Sequence, residues 1–152
     1  MSFDEEGETL ITREADYAIR ALLVLATAPG GMHTAEMARL TQAPYPFLRR
    51  VLQRLVAAEL VASRRGRGGG LRLGRPSRQI SLLDVACAID PDAVILNACL
   101  RRNGACSRQR RCPAHAPLGR AQRTLWQALG AVTFDQLVSS HAHKPCNKRN
   151  RP

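Results

Sequence analysis

The stretch PYPFLRRVLQRLVAAELVASRRGRGGGLRL, residues 44–73, decides the fold of this 152-residue chain. Its first half predicts a helix that ends near Glu59, because apolar residues recur at the i, i+3, i+4, i+7 spacing of one buried helix face. The residues of this apolar face are Leu48, Val51, Leu52 and Leu55. Arg49, Arg50, Gln53 and Arg54 fall outside it, so we expect them to face outward.

The second half of the stretch predicts a β-hairpin. Residues 60–63 and 71–73 have the pattern of two short strands, and the seven residues between them are four glycines and three arginines. Glycine allows a tight turn close to a phosphate chain, and arginine neutralises phosphates or enters the narrow minor groove. Arg64, Arg65 and Arg67 are therefore candidate DNA contacts. A nucleotide-binding loop is disfavoured, because no Gly-Lys-Ser/Thr follows and the loop leads into a strand.

Two helices are predicted before this stretch. Thr12 is a candidate N-cap for the first helix, which residues 29–31 (Pro-Gly-Gly) end. Thr34 can cap a second, short helix through Leu40. Two helices, a tight turn and an arginine-faced helix form a helix-turn-helix pattern, in which Arg49, Arg50 and Gln53 are the candidate contacts to DNA bases. A generic helical bundle with a solvated basic face shares that pattern, but the hairpin that follows favours a winged helix-turn-helix.

Three further helices are expected downstream. Ser81 can cap a helix over 82–89, a longer helix covers 114–131, and a short one covers 134–138. The apolar positions of the longer helix exceed what a small three-helix domain can cover, so it is a candidate dimerisation helix. The sequence predicts a mainly α protein: a winged helix-turn-helix DNA-binding domain with a long C-terminal dimerisation helix.

Five segments are expected along the chain. They are an acidic extension expected to be flexible (1–10), the winged helix-turn-helix DNA-binding domain (11–90), a cysteine cluster loop (91–113), a dimerisation helix region (114–139) and a basic tail expected to be flexible (140–152).

The charge of the chain indicates a polyanionic partner. It has 23 Lys and Arg against 12 Asp and Glu, and beyond residue 16 the balance is 22 basic to six acidic residues. Nucleic acid is the first candidate, with a basic surface that serves solubility as the alternative. No apolar run approaches the roughly 20 residues that span a bilayer, and the acidic N-terminus lacks the basic region of a signal peptide. We expect a cytoplasmic protein without a membrane partner.

Three cysteines form a cluster in the sequence. Cys99, Cys106 and Cys112 lie within fourteen residues, among five arginines. In a cytoplasmic chain such cysteines indicate metal or redox chemistry more than disulfides. Zinc-type Cys-x₂-Cys pairs and common ferredoxin spacings are absent. The spacing therefore leaves an iron–sulfur cluster, zinc, thiol oxidation and unliganded thiols open. Cys87, within an apolar helix, is expected to be buried, and Cys146 has no assigned role.

Several segments resemble the Rrf (BadM) family of winged-helix iron–sulfur transcription regulators, including its NsrR, RirA and IscR branches. They are DYAIRAL (16–22), the wing (60–70), ISLLDV (80–85), the three cysteines and TFDQLV (133–138). The resemblance covers about residues 10–139. It implies a homodimeric transcriptional regulator, expected to be a repressor, on double-stranded operator DNA. It further implies a 2Fe–2S or 4Fe–4S cluster on Cys99, Cys106 and Cys112 that senses redox, nitric oxide or iron status.

The resemblance offers two residues as the fourth ligand of the cluster. In IscR-like members a histidine three residues after the last cysteine serves, and His115 stands there. In NsrR-like members an aspartate on the first helix of the partner subunit serves, and Asp16 stands there. The opening and closing segments look more NsrR-like, which favours Asp16 of the partner subunit, with His115 as the alternative.

Other functions remain possible from the sequence. One is a winged-helix regulator with structural zinc or with sensing by thiol oxidation. Another is an iron–sulfur electron-transfer protein. An enzyme is not expected, because the chain offers neither a substrate-binding glycine fingerprint nor an acid–base pair, and no small-molecule substrate is expected.

Overall fold

The structure is a computed structural model that describes residues 11–64, 66, 69–92, 94–101, 106–109 and 111–141. Its elements in chain order are α1 (Arg13–Thr27), α2 (Thr34–Thr41), α3 (Tyr45–Ala57), β1 (Val61–Arg64), β2 (Gly70–Leu73), α4 (Leu82–Ile89), α5 (His115–Ala131) and α6 (Phe134–His141). Short 3₁₀ turns cover Ser77–Gln79 and Ala98–Leu100. The chain is mainly helical, as the sequence predicts.

Side-chain caps begin two of the helices. The Thr12 hydroxyl accepts a hydrogen bond from the Ala15 N–H at 3.2 Å. Ser81 and Asp84 form a reciprocal capping box, in which the Asp84 carboxylate accepts from the Ser81 N–H at 2.8 Å. Both predicted caps are therefore confirmed. The predicted Thr34 cap is wrong, since Thr34 is the first residue of α2 and His33 precedes it without a side-chain cap.

Helix α3 ends slightly earlier than the sequence suggests. Its last residue is Ala57, and Glu59 has a left-handed φ of 59° that takes the chain out of the helix. The Leu60 N–H then bonds to the Leu55 carbonyl at 2.9 Å. This tight exit directs the chain straight into β1.

Strands β1 and β2 form the predicted antiparallel hairpin. Val61 pairs with Leu73, and Arg64 pairs with Gly70. Leu71 also exchanges two backbone hydrogen bonds with Met32, in the turn between α1 and α2. Gly70 has a φ of +133°, and a Cβ there would lie 2.9 Å from the Met32 carbonyl oxygen. Glycine is thus required where the wing meets the helical domain.

Helix α1 lies at the centre of the core. It packs against α2, α3, α4 and α6, and Ala18, Ala21 and Leu22 are completely buried. Small residues on α1 allow the neighbouring helices to approach closely. Phe134, the first residue of α6, is also fully buried, and its N–H bonds to the Ile80 carbonyl at 3.0 Å. Helix α6 therefore returns to the winged domain after α5.

The prediction that Cys87 is buried is wrong. The buried residues of α4 are Val85, Ala86 and Ile89, and Cys87 lies on the other side of the helix, exposed. Periodicity could not reveal this, because nearly every residue of α4 is apolar. Partial burial of the thiol, and then the negative charge of Asp84, raise the pKa of Cys87 above its usual value.

None of the helices in the described part of the chain combines the length and the apolar character needed to cross a membrane.

Candidate DNA interface and cysteine site

The outer face of α3 carries the three residues that the sequence assigns to base recognition. Arg49, Arg50 and Gln53 are all exposed, and the four apolar residues of the opposite face are all buried. The burial of one face fixes the direction of the other. Helix α3 therefore presents a basic, hydrogen-bonding surface to solvent.

Arg50 contacts one ring of an aromatic pair. The Arg50 guanidinium lies 5.3 Å from the centre of the Phe47 ring, which meets the Tyr17 ring edge-on at 5.4 Å. The Arg20 guanidinium lies 5.7 Å from the Tyr17 ring on α1. Such contacts attract a cation to the ring face and contribute about 0.5–1 kcal/mol each at exposed sites. The orientation of Arg50 is thus linked to α1.

The wing contributes one described arginine to the candidate interface. Arg64 ends β1 and is exposed. Arg65 and Arg67 lie outside the described residues.

Arg54 plays a different part from its neighbours on α3. The helical pattern alone predicts an outward-facing residue there. Arg54 is exposed as that pattern predicts, but its Nη1 also donates hydrogen bonds to Glu14 Oε2 at 2.7 Å and to the Ile89 carbonyl at 3.0 Å. Arg54 therefore connects α3 with α1 and α4, which sequence reasoning missed because the partners are 40 and 35 residues away.

The three cysteines lie in the segment between α4 and α5. Cys99 is in the 3₁₀ turn, where its N–H bonds to the Asn97 side chain at 3.2 Å. Cys106 and Cys112 are half-buried like Cys99, and all three thiols are unpaired. His115 begins α5, and its N–H bonds to the Cys112 carbonyl at 3.2 Å.

The donor chemistry of this segment fits a metal cluster. Unpaired cysteines, deprotonated to thiolates, are the usual ligands of iron–sulfur clusters. Within the described residues, the buried Nδ1 atom of His115 has no hydrogen-bond partner, which leaves an imidazole nitrogen available. The thiols are not assembled, however: no three His, Cys, Asp or Glu side chains of the described residues lie close enough to hold a metal ion. Ligation therefore requires the segment to bring them closer.

Asp16 is engaged elsewhere within its own protomer. Its Oδ2 lies 2.8 Å from Arg20 Nη2, and both side chains are about half exposed, at 46% and 50%. A surface pair of this kind contributes at most about 1 kcal/mol. Arg20 can therefore release Asp16 at little cost.

A buried glutamine holds the start of the cysteine segment. Gln122 is the one buried residue of α5. Its Oε1 accepts from the Leu96 N–H, and its Nε2 donates to the Val94 carbonyl, both at 2.7 Å. These bonds satisfy two backbone groups three to five residues before Cys99. The sequence carries no local mark of this contact, which spans 26 to 28 residues.

Replacing Gln122 should loosen this attachment. We expect Gln122→Ala to lower the free energy of unfolding by about 2 kcal/mol or more, because two backbone groups lose their partner. Urea denaturation followed by circular dichroism measures the change. The control is Gln127→Ala, which truncates an exposed glutamine on the same helix. If the two variants have the same free energy of unfolding, Gln122 does not hold the cysteine segment in the way described.

An exposed arginine face on the third helix, followed by a glycine-rich hairpin with an arginine at its edge, defines a winged helix-turn-helix. This architecture is a DNA-binding module.

The chain belongs to the Rrf2 family, whose sequence model, described as an iron-dependent transcriptional regulator, matches residues 11–140. It is 32% identical to protein aau3 of Rhizobium meliloti over 86% of this chain and 85% of that protein. It is 29% identical to the HTH-type transcriptional repressor NsrR of Streptomyces coelicolor over 86% of this chain and 88% of that protein. The resemblance seen in the sequence is confirmed, and the chain is a transcriptional regulator of this family.

Solved structures share the fold. The T. potens IscR structure has a TM-score of 0.68 at 19% identity and covers 90% of this chain and 93% of that one. The oxidised form of Staphylococcus aureus CymR has a TM-score of 0.64 at 21% identity and covers 84% of this chain and 94% of that one. Both support the winged-helix architecture, and neither shows more than the fold.

Proposed function

We propose that this regulator is a homodimeric repressor that senses redox, nitric oxide or iron status through an iron–sulfur cluster on Cys99, Cys106 and Cys112. The observation that carries the proposal is the set of three unpaired, half-buried thiols in one segment. The description of the family as iron-dependent supports it. When bound, a cluster supplies a centre that reacts with oxidants and nitric oxide and absorbs visible light.

The proposed DNA contacts follow from the two basic surfaces. Arg49, Arg50 and Gln53 enter the major groove, where base edges carry the sequence information. Arg64, Arg65 and Arg67 of the wing contact phosphates or the adjacent minor groove. In a dimer the two copies of α3 face DNA half-sites that lie about one turn of the double helix apart.

Helix α5 is the proposed dimerisation element. In the single chain its apolar side is poorly covered: Trp126 is 39% exposed, and Gln122 is its one buried residue. A second copy would cover this surface. The partner subunit then also brings its α1 within the same assembly, which the fourth-ligand proposal requires.

We propose Asp16 of the partner subunit as the fourth ligand, with His115 as the alternative. The weak pair with Arg20 leaves the Asp16 carboxylate releasable. The free Nδ1 of His115 and its position next to Cys112 support the alternative.

Anaerobic purification tests the sensor proposal directly. We expect a brown protein whose iron and sulfide contents match a cluster and whose Mössbauer spectrum shows iron coordinated by thiolates. A colourless protein that carries zinc would contradict the proposal and would favour a structural zinc site.

Thiol oxidation without metal is the second candidate. The three unpaired thiols favour it. If it holds, diamide treatment of metal-free protein should change DNA affinity, and dithiothreitol should reverse the change without iron. An iron–sulfur electron-transfer role is less favoured, because the exposed face of α3 is suited to DNA.

Removing a wing charge should weaken binding to every DNA sequence. We expect Arg64→Ala to lower DNA affinity and to reduce the slope of log K against log salt by roughly one, the value for one phosphate contact. Fluorescence anisotropy on one duplex at several salt concentrations measures both. The control is Arg120→Ala, which removes an exposed arginine from α5. If Arg64→Ala leaves both affinity and slope unchanged, the wing assignment is wrong.

A further inference from the structure

Arg54 joins three helices through a single side-chain atom. Its Nη1 lies 2.7 Å from Glu14 Oε2 on α1 and 3.0 Å from the carbonyl oxygen of Ile89 on α4. Ile89 is the last residue of α4, where unpaired carbonyls attract cations. A guanidinium satisfies a carboxylate and a helix C-terminus together because its donors are fixed in one plane.

Each of the three joined elements carries part of the proposed function. Arg54 follows Gln53 directly on α3 and lies one turn after Arg50. Glu14 lies two residues before Asp16 on α1. After Ile89 the chain enters the segment that contains the three cysteines. The DNA-reading face and both stretches that carry candidate ligands therefore meet at this guanidinium.

The contact requires all three helices to keep their relative positions. A hydrogen bond weakens steeply when donor and acceptor separate or lose alignment. A shift of the end of α4, or of the start of α1, therefore changes the force on α3 through Arg54. Such a shift is expected when ligation draws the cysteines together, because the cysteine segment continues from the end of α4, and because α5, which holds that segment through Gln122, packs against α4.

We propose that Arg54 is a positioning residue, which couples the state of the cysteine segment to the orientation of the recognition helix. The proposal rests on the proposed function above and concerns its regulation. It assigns to Arg54 a role distinct from that of Arg49 and Arg50, whose side chains face the DNA. The ion pair between Arg54 and Glu14 is of moderate strength, because the Arg54 side chain is 49% exposed and that of Glu14 is 30% exposed.

The test compares DNA affinity with and without the cluster. The full chain is prepared in cluster-loaded and cluster-free forms, and both are titrated with a duplex selected from random DNA by the wild-type dimer. We expect Glu14→Gln to reduce the ratio of the two affinities by about threefold, since coupling is the quantity that this ratio reports. Glu14→Gln leaves every charge of α3 in place.

Two further variants separate coupling from charge and from general stability. Arg54→Gln should reduce the ratio at least as much as Glu14→Gln does, because it also removes the bond to the Ile89 carbonyl. The double variant should match Arg54→Gln alone, because Glu14 acts through Arg54. Glu36→Gln removes an exposed acidic residue from α2 and should leave the ratio unchanged. In cluster-free protein, hydrogen exchange at the last turn of α4 should accelerate in both Glu14→Gln and Arg54→Gln.

The outcomes distinguish the two proposals. Suppose that the cluster-loaded and cluster-free forms of the wild type differ in DNA affinity. If neither Glu14→Gln nor Arg54→Gln alters the ratio of the two affinities, the coupling role of Arg54 is overturned while the sensor proposal stands. If both wild-type forms bind DNA equally, the sensor proposal is overturned, and the coupling role with it.

Discussion

Serine at any one of Cys99, Cys106 or Cys112 should abolish the cluster. Each substitution removes a proposed thiolate ligand, and we expect cluster retention to weaken by at least about 100-fold, since losing only an outer-shell partner of a metal ligand costs 10- to 100-fold. Visible absorption and iron content after anaerobic purification measure the loss. The variants should also lose the response of DNA binding to oxidants.

The two remaining cysteines provide matched controls. Cys87 is exposed on α4, apart from the cysteine segment, and Cys146 belongs to the C-terminal tail, outside the described residues. Cys87→Ser and Cys146→Ser should keep full absorption. A cluster that survives the loss of Cys106 but disappears with Cys87 would show that the ligand set is misassigned.

Loss of the fourth ligand should have the second largest effect. If Asp16 of the partner subunit is the ligand, Asp16→Ala should bleach the protein or shift its spectrum, while His115→Ala should be nearly silent. If His115 is the ligand, His115→Ala should bleach the protein or shift its spectrum, and Asp16→Ala should be nearly silent. Ligation across the dimer would tie the DNA-binding domain of one subunit to the cysteine segment of the other. Cluster loss would then change the balance between DNA-competent and incompetent dimers.

A mixed dimer tests ligation across the interface. One chain carries Asp16→Ala and the other carries Cys106→Ser. Ligation in trans leaves one intact site, built from the Asp16 of the second chain and the cysteines of the first, so half of the normal absorption should remain. A mixed dimer without any cluster of normal spectrum would exclude Asp16 as a ligand supplied in trans.

The elements and the outward surface of α3 could be predicted because their causes are local. Thr12 and Ser81 cap residues three positions away, and the apolar spacing of α3 fixes which side is buried. The glycines and arginines after β1 predict the wing for the same reason. The three cysteines are close in sequence, so their common segment was also evident.

Other features depended on packing between distant parts of the chain. An arginine on the polar side of a helix looks the same in sequence whether it only faces solvent, as Arg49 does, or also binds other helices, as Arg54 does. Gln122 likewise resembles any polar residue of a surface helix, and its burial at 3% follows from contact with the segment around Val94. The exposure of Cys87 was mispredicted because an almost wholly apolar helix gives no indication of its buried side.

By itself, the sequence determined the family, the winged helix-turn-helix, the basic outer face of α3 and the set of candidate ligands. Only the tertiary structure decided that Arg54 joins α1, α3 and α4, and that Gln122 attaches the cysteine segment to α5. The physical reason is the range of the interactions. Capping and helical periodicity act within one or two turns, whereas these contacts arise only after the hydrophobic faces of separate helices have packed and brought distant polar groups within hydrogen-bonding distance.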